Sequence, residues 1–236
     1  MLFPMSVMLL KDRDAFWQRI RRQDFRWRDL FELAVFVCLA CALYGTVLAG
    51  WRSPRLSCYV AIKLPVLFLG TTSFVALFNG TSAALLGSGL SFKSTLFTVF
   101  AAMAIGGWIL LALVPVALFF LLAAISPTGT PAELQFAHNG ILVTHIVLLA
   151  MAGILGNLAL LQGLRRLVHP RCPVLPLFGL WLAAFALVGG QLSWILRPFV
   201  GSPFFPVEFL RPDALDRNFY EFVFTEVLPF LITGGR

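Results

Sequence analysis

The sequence predicts an all-α integral membrane protein, a polytopic bundle of five transmembrane helices. Hydrophobic residues make up 59% of the 236 positions and charged residues only 12%, and the mean hydropathy is +0.89. A soluble domain carries about 25% charged residues. A chain this apolar has too little polar surface to be dissolved in water, so its main solvent must be lipid.

The second observation is that five segments each contain the roughly 20 apolar residues that one bilayer crossing requires. They are residues 30–50, 59–86, 94–125, 140–168 and 174–195. The third segment contains Pro115, which predicts either one long kinked helix or two segments that meet near the proline. The alternative of six spans would use residues 219–232. That stretch is short and carries Glu221 and Glu226, so an interfacial helix is predicted there instead.

The basic residues near the span ends predict the orientation. With a cytoplasmic N-terminus, the inside collects the basic residues before residue 30, Lys93, and Arg165, Arg166 and Arg171. The outside collects fewer, and residues 126–138 contain no Lys or Arg. The positive-inside rule therefore predicts a multi-pass membrane protein with the N-terminus in the cytoplasm and the C-terminus outside.

Three regions follow from this division: a basic amphipathic segment (1–29), the bundle (30–198) and a tail (199–236). The first segment carries large apolar residues at helical spacing and is expected to lie along the membrane surface, with a solvated, disordered tail as the alternative. Its apolar residues are Leu9, Leu10, Phe16, Trp17, Ile20 and Phe25.

The C-terminal tail is rich in aromatic residues, whereas disordered segments have few. It is expected to be ordered and to fold onto the outer mouth of the bundle as a plug or partner-binding cap, with Phe204, Phe205 and Phe209 against the membrane domain or the headgroups. An acidic–apolar helix is expected from about residue 213. Five acidic residues of the tail are expected to face water: Glu208, Asp213, Asp216, Glu221 and Glu226.

The net charge of +7 does not indicate a nucleic-acid-binding protein. Seven of the eighteen basic residues precede the first span and alternate with four aspartates, which is typical of a segment at anionic headgroups. The expected partners are therefore membrane lipids and other membrane subunits or further copies of the chain. Cys38 and Cys41 form a C-x-x-C inside the first span, without partners for redox or metal chemistry at that depth.

Polar residues inside the spans are candidate functional residues, because polar and ionisable groups are costly in a bilayer. Lys63 lies just inside the second span, where it either snorkels to the outer headgroups or is paired within the bundle. Gln191 is expected to be hydrogen-bonded to another helix. Arg197, with Trp194, is expected to be an interface anchor where the fifth span leaves the membrane.

The fourth span carries the other three candidates. His138 and His145 are seven residues apart and share one helix face; a haem would need an opposing histidine, and the third, His169, lies at the far end of the same helix. A hydrogen bond from His145 to a neighbouring helix, with Gln191 as the candidate partner, is favoured over a proton relay or a metal ligand. Asn157 follows Gly153 and Gly156 and is expected to bridge a close helix contact.

The segment "LLGSGLSFKSTLFTVFAAMAIGGWILLALVPV", residues 85–116, resembles the third-helix region of the Yip-like membrane proteins. The shared features are a glycine-rich approach, an "SFK" turn and an apolar helix with a central proline. The segments "AIKLPVLFL", "AHNGILVTHI" and "QLSWILRPFVGSP" look more like polytopic bacterial inner-membrane proteins of uncharacterised function. The Yip-like resemblance implies a role as a membrane organiser or trafficking adaptor and transfers no site residues.

No nucleophile–base pair, carboxylate pair or phosphate-binding glycine loop is present at usable spacing, so neither an enzyme nor a cofactor is predicted. A non-enzymatic membrane organiser, scaffold or accessory subunit is the favoured function. An oligomeric channel or transporter, with the polar residues lining its path, is the alternative. A membrane enzyme acting on lipid is the third possibility.

Overall fold

The computed structural model describes residues 3–123 and 129–233, and these residues form helices and connecting turns without a β-strand. Two short helices precede the spans, and a short helical segment ends the chain. The five long helices between them are each apolar enough to cross a membrane. The helices are α1 (Pro4–Lys11), α2 (Arg13–Arg21), α3 (Trp27–Ala49), α4 (Pro54–Leu85), α5 (Phe92–Ala123), α6 (Pro131–Leu167), α7 (Val174–Leu196), α8 (Phe219–Phe222) and α9 (Leu228–Thr233), with a π-helical turn (Val223–Val227) between the last two.

The prediction of five spans is confirmed. Helix α4 begins at Pro54, five residues before the predicted position, and ends at Leu85, close to the predicted end. Helix α5 is one long helix through Pro115, the first of the two predicted alternatives; residues 124–125 of the predicted third span lie outside the described residues. Helix α6 begins nine residues before the predicted position. Its start is a capping box in which Thr130 and Glu133 bond each other's backbone N–H, followed by Pro131 in the first turn.

Helix α3 packs against α4 and α5, while α6 packs against α5 and α7 against α4. Glycines allow the close contacts. A Cβ on Gly45 would lie 2.7 Å from the carbonyl oxygen of Val60, and one on Gly156 would lie 3.1 Å from that of Ala102. Gly153, predicted to share this contact, faces open space. Small residues thus bring the backbones together where lipid offers no hydrophobic driving force.

The N-terminal segment packs into one end of the bundle, which we call the N-terminal side. Of its predicted apolar residues, Leu10 is exposed, and the rest are buried against the spans: Leu9, Phe16, Trp17, Ile20 and Phe25. The expectation that this apolar face rests on lipid is therefore wrong. The amphipathic spacing identifies which face is apolar, but α3, α5 and α6 cover it.

The tail covers the opposite end of the bundle, the C-terminal side. Phe199, Val200 and Val207 pack against the main hydrophobic cluster. The predicted acidic helix begins only at residue 219, where the Asn218 side chain caps α8. Residues 219–232 are divided among two short helices and the π-helical turn, and they do not form a sixth span.

Candidate functional site

Lys63 lies at the contact between the bundle and the tail. Its side chain is fully buried, and Nζ donates a hydrogen bond of 3.0 Å to the carbonyl oxygen of Pro198. The ring of Phe209 lies 5.2 Å from Nζ, within the range of a cation–π interaction. Among the described residues, no carboxylate forms an ion pair with Lys63. Lys63 therefore does not snorkel to the outer headgroups; it is paired, as in the second alternative, and its partner is Pro198 at the start of the tail.

Two neighbours in the turn after α3 complete this attachment. Trp51 donates its indole N–H to the carbonyl oxygen of Val200 at 2.7 Å. Arg52 donates to the carbonyl oxygens of Ser202 and Phe205 at 2.9 and 3.3 Å. Three side chains of the bundle thus bind the otherwise unpaired backbone of an irregular segment. We call tail residues 198–227, which include α8 and the π-helical turn, the cap.

Arg197 and Gln191 attach the second half of the cap to α7. The Arg197 guanidinium lies 3.5 Å from the Trp194 ring centroid and forms a 2.8 Å ion pair with Asp213. Gln191 Oε1 accepts the backbone N–H of Phe219 at 3.0 Å. Gln191 is thus bonded to another helix, as predicted, and the partner is the first residue of α8 in the tail.

The acidic residues of the cap are less free than predicted. Asp213 pairs with Arg197, while Glu221 and Glu226 pair with Arg217 at 3.6 and 2.5 Å. Each of these carboxylates keeps about half of its side-chain surface exposed. The cap therefore satisfies much of its own charge while still showing carboxylate surface to water.

His145 and His138 lie on one face of α6, as predicted, but in different surroundings. His145 is buried, with Nδ1 2.9 Å from the hydroxyl of Tyr44 on α3. His138 lies beside the Trp51 ring at a centroid distance of 5.4 Å. The predicted bond of His145 to a neighbouring helix is confirmed, but the partner is Tyr44 rather than Gln191.

Asn157 remains on its own helix, since its amide donates to the carbonyl oxygen of Gly153 at 2.8 Å. It does not bridge to α5, although Gly156 beside it makes the close contact. Within residues 3–123 and 129–233, no group of three His, Cys, Asp or Glu side chains is placed to hold a metal ion. The four cysteines are free thiols.

Glu32 is a polar residue of the first span whose role the sequence did not indicate. Its carboxylate accepts the backbone N–H groups of Met5 and Ser6 at 2.7 and 3.4 Å. These N–H groups belong to the first turn of α1, which has no intrahelical partners for them and attracts negative charge. Because Glu32 and α1 are distant in the sequence, only the fold brings them together.

A search of family models, curated proteins and solved structures found no match to this chain. The resemblance to the Yip-like membrane proteins therefore remains a prediction from the sequence.

Proposed function

We propose that this protein is a non-enzymatic accessory subunit or organiser of a bacterial inner-membrane complex, with its N-terminus in the cytoplasm and its cap outside. The observation that carries the proposal is the exposed aromatic surface of the cap. Phe204 and Phe205 are 55% and 59% exposed, on a segment whose backbone is held by Lys63, Trp51 and Arg52. Aromatic residues on a fixed surface are characteristic of protein–protein interfaces.

The polar residues of the spans favour this role over an oligomeric channel. Lys63, His145, Gln191 and Arg197 each bind a group of the same chain. A conduction path would need such groups directed at a common water-filled lumen. Side chains that hold the cap and join the helices instead support a role in presenting a rigid surface, which is also the kind of role that the Yip-like resemblance implies.

Site-specific photocrosslinking in native membranes tests the proposal. A photoreactive phenylalanine analogue replaces Phe204 in one sample and Leu77, an exposed residue of α4, in a control sample. Adducts are identified by mass spectrometry. We expect a recurrent protein adduct at position 204, either another membrane subunit or a second copy of this chain, and lipid adducts at position 77. Lipid adducts alone at both positions would overturn the proposal.

A further inference from the structure

A cavity of about 300 Å³ lies inside the bundle, with walls formed mainly by α4, α5, α6 and α7. One end is at Asn79, Val99, Leu160 and Trp181, each six or seven residues from the N-terminal-side end of its helix. The cavity continues to Leu110 on α5 and Leu149 on α6. At a rise of 1.5 Å per residue, this gives a slot ~16 Å long that runs across the membrane.

The described residues that line the slot are apolar except for Asn79 at one end and Asn157 on α6, whose amide donates to the carbonyl oxygen of Gly153 on its own helix. Asn79 is only 3% exposed, and its Oδ1 accepts no hydrogen bond from the described residues. The indole N–H of Trp181 does not serve it, because it donates to the hydroxyl of Ser82 at 3.0 Å. A buried acceptor without a donor is costly. The unpaired oxygen at the end of an apolar slot indicates a ligand that brings its own donor.

The slot has a side opening toward the bilayer between α6 and α7. Gly153 lines it and is exposed, and a Cβ on Gly153 would meet nothing within 4 Å. Leu182 lines the opposite edge and is 41% exposed. A molecule dissolved in the membrane can therefore enter without passing through water.

We propose that this slot binds a neutral, single-chain lipid whose hydroxyl group donates to Asn79 Oδ1 while its alkyl chain extends toward the membrane centre. The orientation matches a lipid of the leaflet on the N-terminal side, because the polar end lies near that surface. The volume is at the lower end of the range for ligand pockets, which favours one chain. Among the described residues, no Lys, Arg or His lines the slot, so a phosphate headgroup lacks a cationic partner there. This inference is independent of the proposed role of the cap.

Photolabelling of the full-length protein in phosphatidylcholine nanodiscs tests the proposal. The probe is a monoacylglycerol with a diazirine in its acyl chain, and the matched probe is the methyl ester of the same acid, which has no hydroxyl. We expect the monoacylglycerol to label slot residues such as Leu110, Leu149 and Ala152. Adducts confined to lipid-facing residues such as Leu77 and Ile154 would overturn the proposal, and this part of the test uses the wild-type protein alone.

Two variants test the opening and the recognition separately. Gly153→Leu places a side chain in the opening and should lower slot labelling about tenfold, whereas Gly179→Leu, on α7 and also facing open space, should leave it unchanged. Asn79→Leu should lower labelling by the monoacylglycerol roughly two- to tenfold, to the level of the methyl ester, since one hydrogen bond is lost. If Gly153→Leu were labelled as strongly as the wild type, the proposed opening would be wrong. If both probes labelled the wild type equally, the proposed hydrogen bond to Asn79 would be wrong.

Discussion

Several intramembrane polar residues are paired across helices, and in the pair formed by Tyr44 and His145 both side chains are buried. Both side chains are almost fully enclosed, and they join α3 to α6. Removing only one partner of a buried hydrogen bond is costly, because the other partner stays buried without a hydrogen bond. Replacing both partners by apolar groups costs less.

Tyr44→Phe should therefore lower the stability of the protein by about 0.6–2 kcal/mol, the range for interhelical hydrogen bonds in membranes. Thermal unfolding in mild detergent measures it. Tyr59→Phe is the control. The Tyr59 hydroxyl accepts a hydrogen bond of 2.8 Å from the exposed Arg55, so this substitution should lower the stability less. The double variant Tyr44→Phe with His145→Leu should recover part of the loss; full additivity would contradict a direct bond.

Lys63 holds the cap through one charged hydrogen bond, to Pro198. Lys63→Met keeps the apolar stem and removes the donor, so the start of the tail should open more often. With about 1.5–3 kcal/mol for a hydrogen bond to a charged group, exchange of backbone amides in residues 199–210 should accelerate about tenfold or more. Hydrogen–deuterium exchange with mass spectrometry measures it. Ile62→Met, at an exposed neighbouring position, should leave the exchange unchanged.

At the scale of elements, the N-terminal segment is joined to the bundle by Trp17, which lies over Gly163 of α6. A Cβ at Gly163 would lie 2.6 Å from the indole ring, and the Arg166–Asp14 ion pair lies alongside. Glycine is needed here because the ring occupies the space of a side chain. The contact fixes α2 against α6, so α2 belongs to the bundle and not to the lipid surface.

Alanine substitutions in α6 test this contact, because alanine normally stabilises a helix by about 1 kcal/mol relative to glycine. Gly140→Ala, with nothing within 4 Å of its Cβ, should raise the thermal stability. Gly163→Ala should lower it, because Trp17 must move. The measurement is thermal unfolding in the same detergent for both variants. A similar rise for both would mean that α2 is not seated on α6.

At the scale of the whole molecule, five crossings are expected to place the two ends of the chain on opposite sides of the membrane. Basic residues are concentrated on the N-terminal side, in α1, α2 and the end of α6. Single cysteines introduced at Arg171 and Asp216, both exposed, in a chain without its native cysteines, report the orientation. Only the cysteine at position 216 should react with a membrane-impermeant maleimide in intact cells. Labelling at 171 instead would reverse the predicted topology.

The sequence alone determined the fold class and the number of spans, because both depend on local quantities. Apolar length fixes each crossing, and charge at the span ends predicts the direction. The same local reasoning identified Lys63, His145, Gln191 and Arg197 as candidate functional residues, because polar groups are costly in a bilayer. It also identified residues 199–236 as too aromatic to be free in water.

Only the tertiary structure decided which partners these residues have. Lys63 meets Pro198, Gln191 meets Phe219, and His145 meets Tyr44; each pair joins segments whose relative position depends on how the helices pack. The same holds for Glu32 at α1 and for the slot that ends at Asn79. A single sequence shows which polar groups lie in apolar segments, where they are costly to bury. It does not show their hydrogen-bond partners, because these lie on other elements and only helix packing brings the two groups together.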